Sequence, residues 1–221
     1  MATIDSVLIG AADPSAAERF YAAAFGPHVP VHVTASQEPT TGFRGFTLSL
    51  TVAQPADVRA LVDAALDAGA ATLKPVTKSF WGVGGVVQAP DGTIWKIATS
   101  AKKDTGPATR EVDQVVLLLG VDDVAVTKRF YVERGLTVAK SFGRKYVEFE
   151  KGAGRITLGL YGRRALAKDA GVDPEGSGAH RLAIVGDVGS FATRTGSRGR
   201  RRRSGPIRAA ARHRTGVPRS G

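Results

Sequence analysis

The chain predicts an α+β protein built from two tandem βαβββ-type modules. They form a cup-shaped mixed β-sheet with helices outside it, the second module incomplete and followed by a disordered basic tail. Three observations carry this expectation. The stretch Asp13 to Gly26, DPSAAERFYAAAFG, recurs as Asp123 to Gly135, DVAVTKRFYVERG, and each copy follows an apolar strand-like run. That interval is too long for a solenoid repeat, so it marks a duplicated module. A Pro90-Asp91-Gly92 turn leads into Thr93-Ile94-Trp95-Lys96, the signature of two strands meeting in a tight reversal.

Thr3 to Ala11 reads as the first strand. Asp13 can accept from the open amides of the helix at 14–25, Pro14 sits where its missing N–H costs nothing, and Gly26 ends it. Pro27 to Ala35 alternates Val with polar residues and reads as extended. His28 and His32 would chelate a metal on a helix, but Pro30 between them forbids one. In a strand they lie roughly 13 Å apart and read as surface histidines.

Arg44 to Val52 alternates as a half-buried strand, with Phe46, Leu48 and Leu50 on one face and Thr47 and Ser49 on the other. Pro55 to Ala68 carries an apolar stripe of Val58, Leu61, Val62, Ala65 and Leu66 and stops at Gly69. Gly82, Gly84 and Gly85 lie in a strand. No helix start follows them, so they do not read as a phosphate cradle. Residues 1–100 form the first module, and the polar stretch 101–110 reads as a linker.

Residues 111–189 repeat the plan: a strand at 112–120, the helix at 123–134, strands at 136–142, 145–150 and 156–161, a short helix at 163–170, and a strand at 180–186. His180, at a strand edge after Gly-Ser-Gly, reads as structural.

These motifs resemble the vicinal oxygen chelate superfamily of glyoxalases, bleomycin-resistance proteins and extradiol dioxygenases. The resemblance spans Thr3 to about Gly189. It implies metal ligands at the residue after the Asp of each module's first strand and at a Glu after the Trp of its last strand. Those positions hold Ser6, Gln114 and Lys96, and the second Glu is absent. A protonated Lys is no ligand, and Ser and Gln are weak ones.

The expectation is therefore a metal-free module with no cofactor. It binds a small apolar or aromatic molecule in a cup lined by Ser6, Phe46, Ile94, Lys96, Gln114 and Val116, with Phe80 and Trp81 near the rim. Lys96 would pair with an anionic group of that ligand. The alternative is a metal-dependent glyoxalase-like lyase or dioxygenase with a divalent ion on other ligands.

Composition narrows the setting. Hydrophobic residues make up 43% of 221, enough for a core. The absence of Cys excludes disulfides and thiolate metal sites and suits a cytoplasmic protein. Nothing at the N-terminus reads as a signal peptide, and no apolar run is long enough to span a bilayer, so no membrane partner is expected. A homodimer stays open as an assembly.

The net charge of +11 has one source: ten of the 31 basic residues are Arg at or beyond Arg194, where no Asp or Glu occurs. Arg200 to Arg203 could hold phosphates non-specifically, a second alternative. Without interleaved aromatics they imply no specific nucleic acid.

The sequence from Ala192, ATRTGSRGRR, lacks the strand pattern the second module still needs. A set of codons for those residues, read two bases later, encodes Asp-Pro-Asp-Gly-Phe-Ala-Trp-Glu-Ala. That is the closing turn and strand the resemblance implies. The expectation is a shifted reading frame near Ala192, with the Arg-rich region 190–221 disordered.

Overall fold

The computed structural model describes residues 2–187 and, for the backbone alone, a strand at 191–194. The expectations for the tail and for a shifted reading frame lie outside these residues except at 191–194. The architecture is mixed α+β. In chain order the elements are β1 (Ile4–Ala11), α1 (Pro14–Phe25), β2 (Val31–Ala35), β3 (Thr40–Gly42), β4 (Phe46–Thr51), α2 (Pro55–Asp67), β5 (Ala71–Ser79), β6 (Gly82–Gln88) and β7 (Ile94–Thr99). There follow β8 (Gln114–Val121), α3 (Val124–Val132), β9 (Val138–Phe142), β10 (Tyr146–Phe149), β11 (Ile156–Gly162), α4 (Arg163–Ala170), β12 (Gly176–Gly186) and β13 (Phe191–Arg194).

Two open sheets result. One has eight strands in the order β5-β6-β7-β4-β8-β11-β10-β9, and the other runs β13-β12-β1-β2, with β3 pairing β12. The first half of the chain thus supplies β4 to β7 to a sheet completed by β8 to β11. Strand β4 runs antiparallel to β8 at the seam, and β1 runs antiparallel to β12 in the second sheet.

Both repeat helices start as their sequences require. Asp13 accepts from the amide of Ala16 at 2.9 Å, and Asp123 accepts from those of Ala125 and Val126 at 2.8 and 3.0 Å. Helix α2 has no cap of its own, because Gln54 makes no side-chain cap bond. Its cap comes from the linker, where Asp104 accepts from the Ala56 amide at 2.6 Å and pairs with Arg59. Gln54 and Asp57 in turn bind the backbone of Thr105, Gly106, Pro107, Thr109 and Arg110, so the linker is stitched to α2.

The Phe-Tyr and Pro-Asp-Gly motifs meet in space. Tyr21 donates to Asp91 at 2.6 Å, and the Thr93 hydroxyl bridges Asp91 and the buried guanidinium of Arg44. Asp91 also accepts from the Thr93 amide and Gly92 takes φ +85°, so one carboxylate both shapes the turn and anchors the helix. Burial first, and the neighbouring Asp91 carboxylate next, push the Tyr21 phenol well above its ordinary value. Trp95, fully buried, packs on Phe25 and Tyr21 beneath α1.

Two strands were not expected from the sequence. Residues 71–79 form an edge strand, although Pro75 and two lysines give the stretch the look of a loop. An edge tolerates Pro, and the register shifts on either side of it. Phe191–Arg194 pairs with β12 although no strand was expected from Ala192. The exposed edge of β12 offers backbone pairing whatever the side chains.

Candidate functional site

The concave face of the eight-stranded sheet is set by register. Ser49 lies opposite both Lys96 and Val116, Val86 opposite Lys96, and Thr157 opposite Val116. One row therefore reads Val86, Lys96, Ser49, Val116, Thr157 across five strands. Strand alternation puts Gln114 and Leu118 of β8, Gly159 and Tyr161 of β11, and Tyr146 and Glu148 of β10 on the same face. The opposite face carries Leu48, Leu50, Trp95, Ile97, Leu117 and Leu158, which join the main core with α1, α2 and α3.

Helix α4 packs on the concave face. Leu166, Ala167 and Ala170 bury against a cluster with Val86, Ile94 and Leu118. Gly120 permits the approach, because a Cβ there would meet Arg163 Cα at 3.1 Å and Leu166 at 3.3 Å. Both ends of the helix are held. Arg163 donates to the carbonyls of Pro174 and Phe43, and Lys74 donates to those of Lys168 and Asp169 at 2.7 and 2.6 Å. The Asp169 carboxylate faces Lys96, with Nζ 2.9 and 2.7 Å from its two oxygens.

Beyond α4 the face is half-buried and polar. Gln114 donates to Thr157 at 2.6 Å. Tyr146 donates to Glu148 at 2.6 Å, and its ring lies 4.7 Å from that of Tyr161. Burial, then the hydrogen bond and charge of Glu148, drive the Tyr146 phenol far up. Burial and then Asp169 raise that of Tyr161. Both phenols stay protonated donors, so neither serves as a general base at neutral pH.

The residues expected from sequence divide between four places. Lys96, Gln114 and Val116 share the concave face, and Ile94 lies there too, buried under α4. Ser6 does not join them, because β1 is in the other sheet, where Ser6 pairs with Val185 of β12. Phe46 belongs to the opposite face, in the core with Leu48 and Leu50, while Arg44 lies over its ring. Both faces of β4 are largely buried, and the side that meets Lys96 and Val116 is the one carrying Ser49. Phe80 and Trp81 are 78% and 82% exposed at the β5–β6 reversal, against each other rather than over the cup.

Tyr146, Glu148, Tyr161 and Asp169 were missed. The alternation Tyr146, Glu148 against Val147, Phe149 was the available signal for two of them.

The donor set does not suit a divalent ion. The Lys96 ammonium occupies the position of the expected carboxylate and is compensated by Asp169. Gln114 turns its amide nitrogen to Thr157. Among the described residues no three of His, Cys, Asp and Glu gather at metal-binding distance. Among the same residues, no helix is long and apolar enough to cross a membrane.

No protein-family model matches the chain, and no curated protein matches it in sequence. Solved structures do. Glyoxalase I from Zea mays is similar over 72% of this chain and 67% of its own, at 14% identity and a TM-score of 0.51. A mutant of that enzyme gives 73%, 69%, 15% and 0.50. A glyoxalase/bleomycin resistance protein/dioxygenase family enzyme from Burkholderia phytofirmans PsJN matches 45% of this chain and 99% of its own, at 19% identity and a TM-score of 0.40. Two open sheets built on repeated strand-helix units, together with the likeness to glyoxalase I, show that this chain has the vicinal oxygen chelate fold.

Proposed function

We propose that the chain binds a small organic anion with an aromatic or apolar body on the concave face, without a metal ion. The observation that supports this most is Lys96. A cation stands in the middle of the face, and its counter-charge comes from a short helix rather than from the sheet. A ligand carboxylate or phosphate would take the place of Asp169. Tyr146 and Tyr161 supply flat apolar surface beside it, and Val116 supplies the floor. Phenols that stay protonated there donate hydrogen bonds without adding negative charge.

The metal-dependent lyase or dioxygenase reading draws on the fold alone, and the donor chemistry speaks against it. A cytoplasmic setting is compatible with the absence of Cys, and a homodimer with the free edges of β5 and β9.

Benzoate and phenyl phosphate serve as probes, titrated into the full chain and followed by amide NMR. Saturable shifts centred on Lys96, Val116, Tyr146 and Tyr161, lost in Lys96→Met, are expected. Binding that survives Lys96→Met overturns the proposal. So does a stoichiometric divalent ion in the purified protein.

A further inference from the structure

A cavity adjoins the concave face at Gln114 and extends away from Lys96. It is a cleft of about 580 Å³ bounded by the C-terminal end of α1, the approach to β2, the segment entering β8 and the loop between β10 and β11. Its apolar wall is Phe25, Val29, Pro30, Val112 and Val115. The volume lies within the range of small-molecule sites.

Charges of both signs face this space. Arg110, Lys151 and Arg155 are the cations, and Glu111 and Asp113 are the carboxylates. None of the ion pairs among the described residues includes any of them. Arg110 donates to the terminal carbonyls of α1 at Ala23 and Ala24, and Arg155 donates to the carbonyl of His28. Both guanidinium groups are thus fixed in place by neutral acceptors, with N–H groups to spare. The side chains of Lys151, Glu111 and Asp113 have no hydrogen bond within the described residues. Two carboxylates and three cations share one cleft without meeting each other.

We infer that this cleft binds a small amphipathic zwitterion, an amino acid or a dipeptide with an apolar side chain. The carboxylate of the ligand goes to Lys151 and the two fixed guanidinium groups, a planar match for a carboxylate. Its ammonium goes to Glu111 and Asp113, and its side chain lies on Phe25, Val29 and Pro30. A simple anion would meet two carboxylates, and a simple cation would meet three positive groups. A ligand carrying both charges satisfies every charged group that lines the space.

The test uses L-phenylalanine and the dipeptide Ala-Phe against the full chain, with phenylacetate and phenethylamine as single-charge controls. Amide NMR separates this cleft from the concave face. The zwitterions should shift residues 28–30, 110–115 and 151–155 saturably, and each control should bind there at least fivefold more weakly. Lys151→Gln and Glu111→Gln, which disturb no contact in the fold, should each weaken Ala-Phe by about fivefold, the upper range for a solvent-exposed ion pair. Absence of saturable shifts in the cleft with either zwitterion overturns the inference. A control that matches the zwitterion there, or two variants that bind as the parent does, overturns it equally.

Discussion

Asp169→Asn should loosen helix α4 without loosening the sheet beneath it. The helix has eight residues, too few to persist in water on local bonds alone, so its tertiary contacts decide its population. Asp169 sits at its C-terminal end, where a negative charge opposes the helix dipole, and Lys96 and Lys74 offset that cost. The Lys96–Asp169 side chains are 33% and 42% exposed, so solvent screening holds the pair to about 0.5–1 kcal/mol. Losing it should raise the opening of α4 by about two- to fivefold, read from hydrogen exchange of the amides of Ala167 to Gly171. Leu166→Ala removes a fully buried side chain and should cost about 2–3 kcal/mol, a far larger rise at the same amides.

Salt distinguishes the two. At ~1 M ionic strength the screening length falls to about 3 Å, which should shrink the Asp169→Asn effect and leave that of Leu166→Ala intact. Equal acceleration in β8, β11 and α4 would refute the reasoning, because the helix would then open only with the whole sheet.

Three further outcomes are expected. All four tyrosines have phenols raised by burial, Tyr131 to about 12. The folded state thus keeps protons that the unfolded state releases above the ordinary value of about 10. Stability should fall as pH rises through the window from about 10 to about 12, and phenolate absorbance should appear together with loss of far-UV circular dichroism. Phenolate appearing well before unfolding would contradict this burial. Lys96→Glu should bind Ni²⁺ or Zn²⁺ in a calorimetric titration where the parent shows no heat, since it replaces the opposing charge with a carboxylate beside Asp169. A variant as inert as the parent would argue against Lys96 as the group that keeps metal out. Trp81 should account for nearly all iodide quenching of tryptophan fluorescence and Trp95 for the unquenched remainder, so Trp81→Ala should leave a signal iodide does not reach.

Local chemistry was legible in the sequence. Asp13 and Asp123 start their helices, the positive-φ glycines Gly26 and Gly135 end them, and the β4, β6, β7, β8 and β11 patterns give strands. The meeting of Tyr21 with Asp91 was not, since nothing in either motif names the other. Edge strand β5 escaped because Pro75 and the lysines that keep an edge soluble resemble a loop. Phe46 was given to the cup although alternation sets it with Leu48 and Leu50, opposite Thr47 and Ser49, and it is Ser49 that pairs with Lys96 and Val116. Ile94 lies on the same face as Lys96, but its cover by α4 could not be foreseen. RRALAKDA is a polar segment, and only its three inward residues, set by non-local packing, show where it goes.

Ser6 and Gln114 occupy the same place in the repeated motif, yet only Gln114 shares a sheet face with Lys96. The difference lies in which segments pair. A repeat suggests that each copy completes its own sheet. The structure instead joins β4 to β8, antiparallel over six consecutive residue pairs from Phe46–Leu119 to Thr51–Gln114. Strand β1 finds its antiparallel partner in β12, at the far end of the described chain. Each repeat unit therefore contributes its first strand to a different sheet from its neighbour's. Such pairing is written in no local pattern, because the hydrogen bonds of a strand edge are the same for every sequence, and burial decides among the partners. Here burial favours β8, whose Val115, Leu117 and Leu119 complete the apolar face begun by Leu48, Leu50, Trp95 and Ile97. The concave face follows as the other side of that choice. Lys96 comes from the segment before the linker and Gln114 from the segment after it, and the stitching of the linker to α2 by Gln54, Asp57 and Asp104 holds the two in register.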